Sequence, residues 1–412
     1  MGTLRRSAWT AARESLQIRY GILQVTYCFC TCALSGFAAI FLGYKGLSNS
    51  LIGVATGASC VLGVILMPLT SSAVERVPRL TIVAAVRWAM VGALACYAML
   101  AAMPLSTGAI IALYAVANAL VLAVAPLLSQ LAMSFNHIGM PVNFGLARGM
   151  GSVSYAVGAV GLSGLTDFAT PSSLAAAFAL AGAVLLVVLA TMPPCETSKC
   201  EGTEAPRARE AHRDDAGGAM REILQQRALV LVLVAFMVAF IACNCLSVYL
   251  IDIVTNLGGN TSMYGIATFC MAASELPAMA FVPRLRRRFS TGTLFMVVGV
   301  AYLLRNMIVV FATGVPMVFV GLLFQSMSYG MLTPLLTYYI AEVCSPRSEM
   351  LGQTLLSVVT TGIGSMVGTV CGGVLQDAFG LQAMLLFVAV NTVVAAAVFL
   401  LAGICARQTE RR

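Results

Sequence analysis

The sequence predicts an all-α membrane protein of twelve transmembrane helices, arranged as two pseudo-symmetric six-helix bundles around a central cavity. Three observations lead there. Of 412 residues, 60% are apolar and only 10% are charged, with a mean hydropathy of +0.93. A soluble domain of ordinary composition carries roughly 25% charged residues, so most of this surface must face lipid. The apolar residues fall in long continuous stretches, each near the ~20 residues a helix needs to cross the hydrocarbon. Continuity rather than alternation argues against a β-barrel. The third observation is an internal repeat. Ser50, Gly53, Ala55 and Thr56 recur as Ser262, Gly265, Ala267 and Thr268, and the same offset carries Arg76 onto Arg288. A nearly equal offset carries Gly158, Val160 and Asp167 onto Gly368, Val370 and Asp377.

The spans are justified in order. The first, 20–44, follows Arg5, Arg6, Arg13 and Arg19 and is too long for the apolar region of a cleavable signal. It carries Gln24, Thr31 and Ser35 at helical spacing, with Tyr27 alongside. The second, 50–74, runs into a charged loop holding Glu75, Arg76 and Arg79; the third, 80–103, contains Arg87; the fourth follows at 107–133. The fifth, 143–166, combines Arg148 with Gly145, Gly149, Gly151, Gly158, Gly161 and Gly164, small residues that let helix backbones approach in lipid. The sixth, 171–193, ends at the linker. The seventh, 228–252, bears Asn244 and Ser247, the eighth, 261–282, Glu275, and the ninth, 291–312, Arg305. The tenth, 315–341, presents Gln325, Tyr329, Thr333 and Thr337 on one face; the eleventh, 350–376, presents Gln353, Ser357 and Thr361 and is again glycine-rich. The twelfth, 382–405, precedes a basic tail.

Seven of the 16 acidic residues lie between Glu196 and Glu222. That stretch divides the chain into a bundle over 1–193, a cytoplasmic linker over 194–227 with a short helix at 219–226 lying on the membrane, and a bundle over 228–412. Twenty of the 24 basic residues fall in the N-terminal tail, the alternate loops that follow it and the C-terminal tail. The opposite side holds Lys45 alone, and Arg87, Arg148 and Arg305 lie within spans. Positive charge marks the cytoplasmic side, which predicts a multi-pass protein of the plasma (inner) membrane with both termini in the cytoplasm. The net charge of +8 is thereby a topology signal, and no nucleic-acid partner is expected.

Chemistry points to passage rather than catalysis. His-Glu-x-x-His, a phosphate-binding Walker loop and a nucleophile elbow are all missing from the sequence, so no enzyme activity and no cofactor are expected, and any transport runs on a gradient or downhill. Thirteen cysteines are mostly scattered singly along spans. Cys195 and Cys200, with His212 nearby, read as a reduced loop rather than a metal site. Ionisable groups at membrane depth cost at least ~2.5–3.5 kcal/mol each and line pathways or pair. Glu275 and Arg305 sit at similar depths, ~18 and ~14 Å from the outer face at 1.5 Å per residue, and are expected to form an ion pair. One acid against three arginines inside the spans favours an anionic or polar solute. Amides are harder than hydroxyls to satisfy within their own helix, which favours Gln24, Asn244, Gln325 and Gln353 as further solute contacts.

The loop Ser71-Ser-Ala-Val-Glu75-Arg76-Val-Pro78-Arg79 resembles the gating loop Gly-x-x-x-Asp-Arg-x-Gly-Arg of the major facilitator superfamily, without its glycines. The stretch from Asn143 through Arg148, Gly151 and Tyr155 to Ala156 resembles the fifth-helix signature of the lactose permease-like symporters and their phenylpropionate permease-like and nucleoside symporter-like relatives. That resemblance implies a proton-coupled symporter, a monomer, of sugar, nucleoside or aromatic-acid type. Arg148 would bind substrate, Glu275 would be a substrate- or proton-linked acid that couples protons, Arg305 would be its partner and a further substrate contact, and Glu75, Arg76 and Arg79 would gate. Two departures stand out: Ser129-Gln130 occupy the place of the fourth-helix acid, and Gln325 that of the tenth-helix histidine. An amide does not titrate, so proton coupling rests on Glu275, and uniport is compatible with the pattern. A proton-linked efflux carrier for amphipathic compounds and a non-transporting membrane sensor are the alternatives.

Overall fold

The computed structural model describes residues 2–77, 80–137, 142–192 and 216–410. Among them the chain is helical and carries no strand. The helices are α1 (Gly2–Thr31), α2 (Ala38–Tyr44), α3 (Asn49–Arg76), α4 (Ile82–Ala102), α5 (Thr107–His137), α6 (Phe144–Phe168), α7 (Ser173–Ala190) and α8 (Ala216–Gln225). They continue as α9 (Arg227–Val248), α10 (Leu250–Asn256), α11 (Thr261–Arg288), α12 (Thr291–Val310), α13 (Val315–Leu323), α14 (Met331–Val343), α15 (Pro346–Ser357), α16 (Ser365–Phe379) and α17 (Leu381–Glu410). Wider π-helical turns occupy Cys32–Gly36, Ser326–Gly330 and Val358–Gly364.

Nine described helical stretches are long and apolar enough to cross a membrane, and two bent pairs raise this to eleven. The twelfth expected span is α6, whose 25 residues suffice in length but are diluted by glycine, serine and Arg148. The first span bends by 51° between Gly36 and Ala38, directly after the π turn, as inserted residues in a helix ladder commonly cause. α1 also begins at Gly2 rather than near residue 20, because nothing ahead of the span interrupts a helix.

Two compact units emerge. One contains the described residues of 1–47 and 58–199, the other those of 48–57 and 200–412. The first turns of α3 thus pack with the second unit. The reason is local: Asp377 accepts hydrogen bonds from the Asn49 and Ser50 backbone N–H groups at 3.1 and 2.7 Å, supplying the acceptors that a helix N-terminus lacks. Tyr249 Oη donates to the Asn49 or Thr369 carbonyl, both within 3.0 Å.

The core of the first unit is aromatic. Tyr97, 1% exposed, meets Phe41 and Phe178 edge-on at 4.8 and 5.1 Å, an arrangement the ring quadrupoles favour. In the second unit Tyr302 stacks on Phe399 at 6.0 Å, and Phe295 meets Tyr339 edge-on at 5.2 Å. α12 and α17 touch backbone to backbone: a Cβ on Gly292 would lie 2.4 Å from the Gly403 carbonyl oxygen, and one on Gly403 2.6 Å from that of Gly292. Lipid gives helices no hydrophobic reason to associate, so such close approach supplies the contact. Outward faces remain apolar, as at Leu62, Ile65 and Leu69 on α3 and Leu386, Val390 and Val393 on α17.

α8 corrects one expectation. It spans Ala216–Gln225, close to the 219–226 foreseen, but its apolar side is not given to the membrane alone. Ile223, 1% exposed, joins the core cluster of the second unit with Leu229, Val232 and Leu336, and Glu222 accepts from both the N–H and the hydroxyl of Ser345 at 2.8 and 2.9 Å.

Candidate functional site

In the second unit the polar residues converge on one level. α11 carries Glu275, and the π turn after α13 brings Gln325 against it: Gln325 Nε2 donates to Glu275 Oε1 at 2.8 Å. Gln325 is buried, and its carbonyl oxygen accepts nothing among the described residues. Gly330 makes the approach possible, since a Cβ there would lie 3.2 Å from the Glu275 Cα. The backbone widening of Ser326–Gly330 is of a kind that recurs at functional sites.

Arg305, on α12, is fully buried. Its Nη1 donates to Asn306 Oδ1 at 2.8 Å, and its Nη2 lies 3.8 Å from the Met271 sulfur, one helical turn ahead of Glu275 on α11. Asn306 is tied in turn to Thr392 of α17 at 2.8 Å. The fully buried Tyr302 lies within electrostatic reach of both Arg305 and Glu275. The contacts therefore differ from the direct Glu275–Arg305 pair expected from sequence: the Gln325 amide, just past α13, takes the carboxylate, and the guanidinium rests on Asn306 and Met271. A buried cation among neutral partners is costly without a nearby counter-charge, and Glu275 is the carboxylate this level provides.

Unit one presents a different surface. Arg148 is exposed and donates to Ser152 Oγ at 3.2 Å, with the Cys28 sulfur 3.8 Å away. It shares a helix face with Ser152 and Tyr155, turned away from the exposed apolar stripe of Leu146, Met150, Val153 and Val157. The neighbouring face of α1 is where Gln24 was expected to meet solute. Gln24 is instead 3% exposed and donates to Tyr20 Oη at 2.9 Å, while Tyr20 donates to the Leu128 carbonyl at 2.9 Å. It braces α1 against α5.

The remaining expected residues lie apart. Asn244 donates to the Phe240 carbonyl of its own helix at 3.3 Å. Gln353 donates to the Thr337 carbonyl at 3.2 Å, joining α15 to α14. Arg87 is exposed near the start of α4 beside the exposed Trp88, a position from which a long side chain reaches the headgroups. Of the gating loop, Arg79 and the side chains of Glu75 and Arg76 lie outside the described residues, as do Cys195, Cys200 and His212. Among the described residues no group of three His, Cys, Asp or Glu side chains is placed to hold a metal.

Two buried amides escaped the sequence reading. Asn118 on α5 donates to Ser59 Oγ at 2.7 Å and accepts from Ser35, so the serine of the first-span stripe is tied into the first unit. Asn306 is the other. Both were visible as single amides inside apolar runs, and an amide in lipid needs a partner.

The fold is shared with solved transporters. A variant of the nucleoside transporter NupG superposes with a TM-score of 0.81 at 13% identity, covering 94% of this chain and 99% of that one. The D-xylose-proton symporter gives 0.64 at 15% identity over 94% and 97%, and a bacterial homologue of the human lysosomal transporter Spinster gives 0.67 at 15% over 96% and 98%. In sequence, the maltose permease of Geobacillus stearothermophilus is 27% identical over 281 residues, 68% of each chain. Residues 20–388 match the model of the MFS_1 like family, and a match of that extent, with multi-pass helices throughout, places the chain in that family of major facilitator transporters.

Proposed function

We propose that this protein carries a small polar or anionic organic solute, of sugar, nucleoside or aromatic-acid type, across the plasma membrane by alternating access, in symport with protons. The observation that carries the reading is Glu275: a carboxylate at membrane depth, held by the Gln325 amide, with the buried Arg305 of α12 against Met271, one helical turn ahead of it on α11. Such a group has no structural need to be ionisable, and intramembrane carboxylates of this kind mark solute or proton routes. Gln325 suits both states of the acid. Its N–H donates to the carboxylate, and its free carbonyl oxygen offers an acceptor for the protonated form.

Arg148 is assigned to the solute, because its guanidinium is exposed and only lightly engaged. An arginine presents a planar fork suited to carboxylates and hydroxyl pairs. Relatives named as a maltose permease, a nucleoside transporter and a xylose-proton symporter support the solute range. The arginine distribution supports cytoplasmic termini, and no covalent chemistry is assigned to any residue.

The test is uptake into proteoliposomes under an imposed pH gradient, with labelled sugars, nucleosides and aromatic acids offered in parallel. Accumulation above equilibrium that Glu275→Gln abolishes, with downhill exchange retained, is the expected result. Full uphill accumulation by that variant removes Glu275 from coupling, and accumulation indifferent to the solute's charge removes the anionic preference.

A further inference from the structure

We propose that the outer flank of α11 and the turn after α13 form a binding groove for one anionic phospholipid, its acyl chain lying in the groove and its headgroup on Arg284 and Arg288.

The groove arises from two ties and a bend. α11 carries Pro277 and Pro283 inside the helix and turns by 50° between Met279 and Phe281. Each proline removes a ladder hydrogen bond and crowds the carbonyl four residues earlier. Above the bend, the Glu275–Gln325 hydrogen bond and Gly330 hold α11 close to the neighbouring π turn. Below it, Arg286 pairs with Glu342 and lies over the Tyr338 ring at 4.8 Å, so that α11 meets α14 again. Between the ties the helices part around a space of about 470 Å³ lined by Pro277, Phe281, Leu323, Ser326 and Met327, among others. Phe281, Leu323 and Met327 are half or nearly half exposed (54%, 50% and 47%), which in a membrane protein leaves the opening accessible to an acyl chain.

Charge selects which lipid. Past the bend, residues 281, 284 and 288 follow helical spacing, so the side of α11 on which Phe281 lines the groove continues into Arg284 and Arg288. Both are exposed. Arg284 lies over the Phe281 ring at 5.6 Å, which directs the guanidinium to the mouth of the groove, whereas Arg286 faces α14 and is already paired. Arg288 lies over the Phe289 ring at 5.8 Å, and an apolar slot ending in two exposed arginines at a helix terminus matches a tail joined to a phosphate. A neutral headgroup would leave those charges unmet, and basic clusters at the membrane boundary favour anionic lipids. The groove also backs onto the site: Ser274 and Ser326, both in its lining, adjoin Glu275 and Gln325 in sequence, so a lipid seated there bears on the hydrogen bond between them.

The full-length protein, delipidated in detergent, is offered phosphatidylglycerol or phosphatidylcholine of equal chain length, and bound lipid is counted by native mass spectrometry. Two arginines near the surface lead to a preference for phosphatidylglycerol of about 30-fold. Arg284→Gln with Arg288→Gln should equalise the two lipids, Arg284→Lys with Arg288→Lys should keep most of the preference, and Ala278→Trp should lower retention of both by filling the slot. Inorganic phosphate should not displace the lipid. Equal retention of the two lipids by the unaltered protein overturns the proposal without any variant. So does a preference that survives in the glutamine pair, or displacement by phosphate alone, which would make this a simple anion site.

Discussion

Gln325 reaches Glu275 of α11 with a single amide N–H, its nitrogen 2.8 Å from the carboxylate oxygen, while the carbonyl end of the same amide accepts nothing among the described residues. The pair is short, shielded and lopsided. Replacing Gln325 with leucine keeps the volume roughly constant and deletes the donor, so the carboxylate loses that partner. Uphill accumulation in proteoliposomes should fall at least about tenfold, equivalent to ~1.4 kcal/mol, while the Gln325→Glu protein, which adds a like charge, should be worse still. Unchanged accumulation in the leucine variant would remove the amide from the transport step.

Gly330 permits that contact. With a Cβ placed 3.2 Å from the Glu275 Cα, Gly330→Ala demands a small shift and Gly330→Val a larger one. Overpacking of this kind costs about 1–3 kcal/mol, so the thermal unfolding midpoint should drop in that order, with uptake lost in the valine protein. Both quantities are read on the same purified samples.

Asn306 serves Arg305 and Thr392 at once. Asn306→Leu removes the guanidinium's neutral acceptor and the amide donor to the Thr392 hydroxyl oxygen, at a cost of about 2 kcal/mol. A clear fall in the unfolding midpoint is expected, and Asn306→Asp should recover much of it by giving Arg305 a charged acceptor. Failure of the aspartate to improve on leucine would argue that the site is set by volume instead.

Arg148 and Gln24 separate cleanly. Arg148→Gln should weaken solute binding at least tenfold, about 1.4 kcal/mol, with little loss of stability, since its guanidinium is exposed and, among the described residues, bonds Ser152 and lies near the Cys28 sulfur. Gln24→Leu should do the reverse, lowering the unfolding midpoint while leaving binding within a factor of two or so, as its amide is spent on Tyr20. Titration of solute against both proteins by calorimetry, beside thermal melts, distinguishes the two roles.

At the end of the linker, Glu222 satisfies Ser345, the residue just ahead of α15, whose side chain does not cap that helix. Glu222→Ala withdraws a charged acceptor from a helix start, a loss of about 1 kcal/mol. Hydrogen exchange should quicken over the first turn of α15, at residues 346–349, and stay unchanged in α17.

Much of the architecture was legible because lipid imposes it: a span needs length and apolarity, and both are written in single residues. The position of α6 was legible too, from its glycine-rich run and the context of Arg148, and the structure adds the Asn143 cap. Glu275, Arg305 and Gln325 could be named because polar groups at depth are rare enough to stand out. Which partner each would take was not legible. Gln24 and Gln325 look alike in sequence, yet one is consumed by a tyrosine on its own helix and the other meets a carboxylate from a neighbour. Periodicity assigns a side chain to a face but does not say what lies opposite. Nor did it disclose the π turns, where packing against other helices decides how wide a helix winds, or the attachment of residues 48–57 to the second unit through Asp377, a contact more than 300 positions distant.

The reciprocal meeting of Gly292 and Gly403 has a mechanical corollary. Where two carbonyl ridges sit within reach of each other's α-carbons, with the Met296 and Arg407 side chains packed alongside, α12 and α17 are locked into a keel. Deformation inside that half then concentrates in the loosely wound turns at 326–330 and 358–364, and the first of these carries the contact to Glu275.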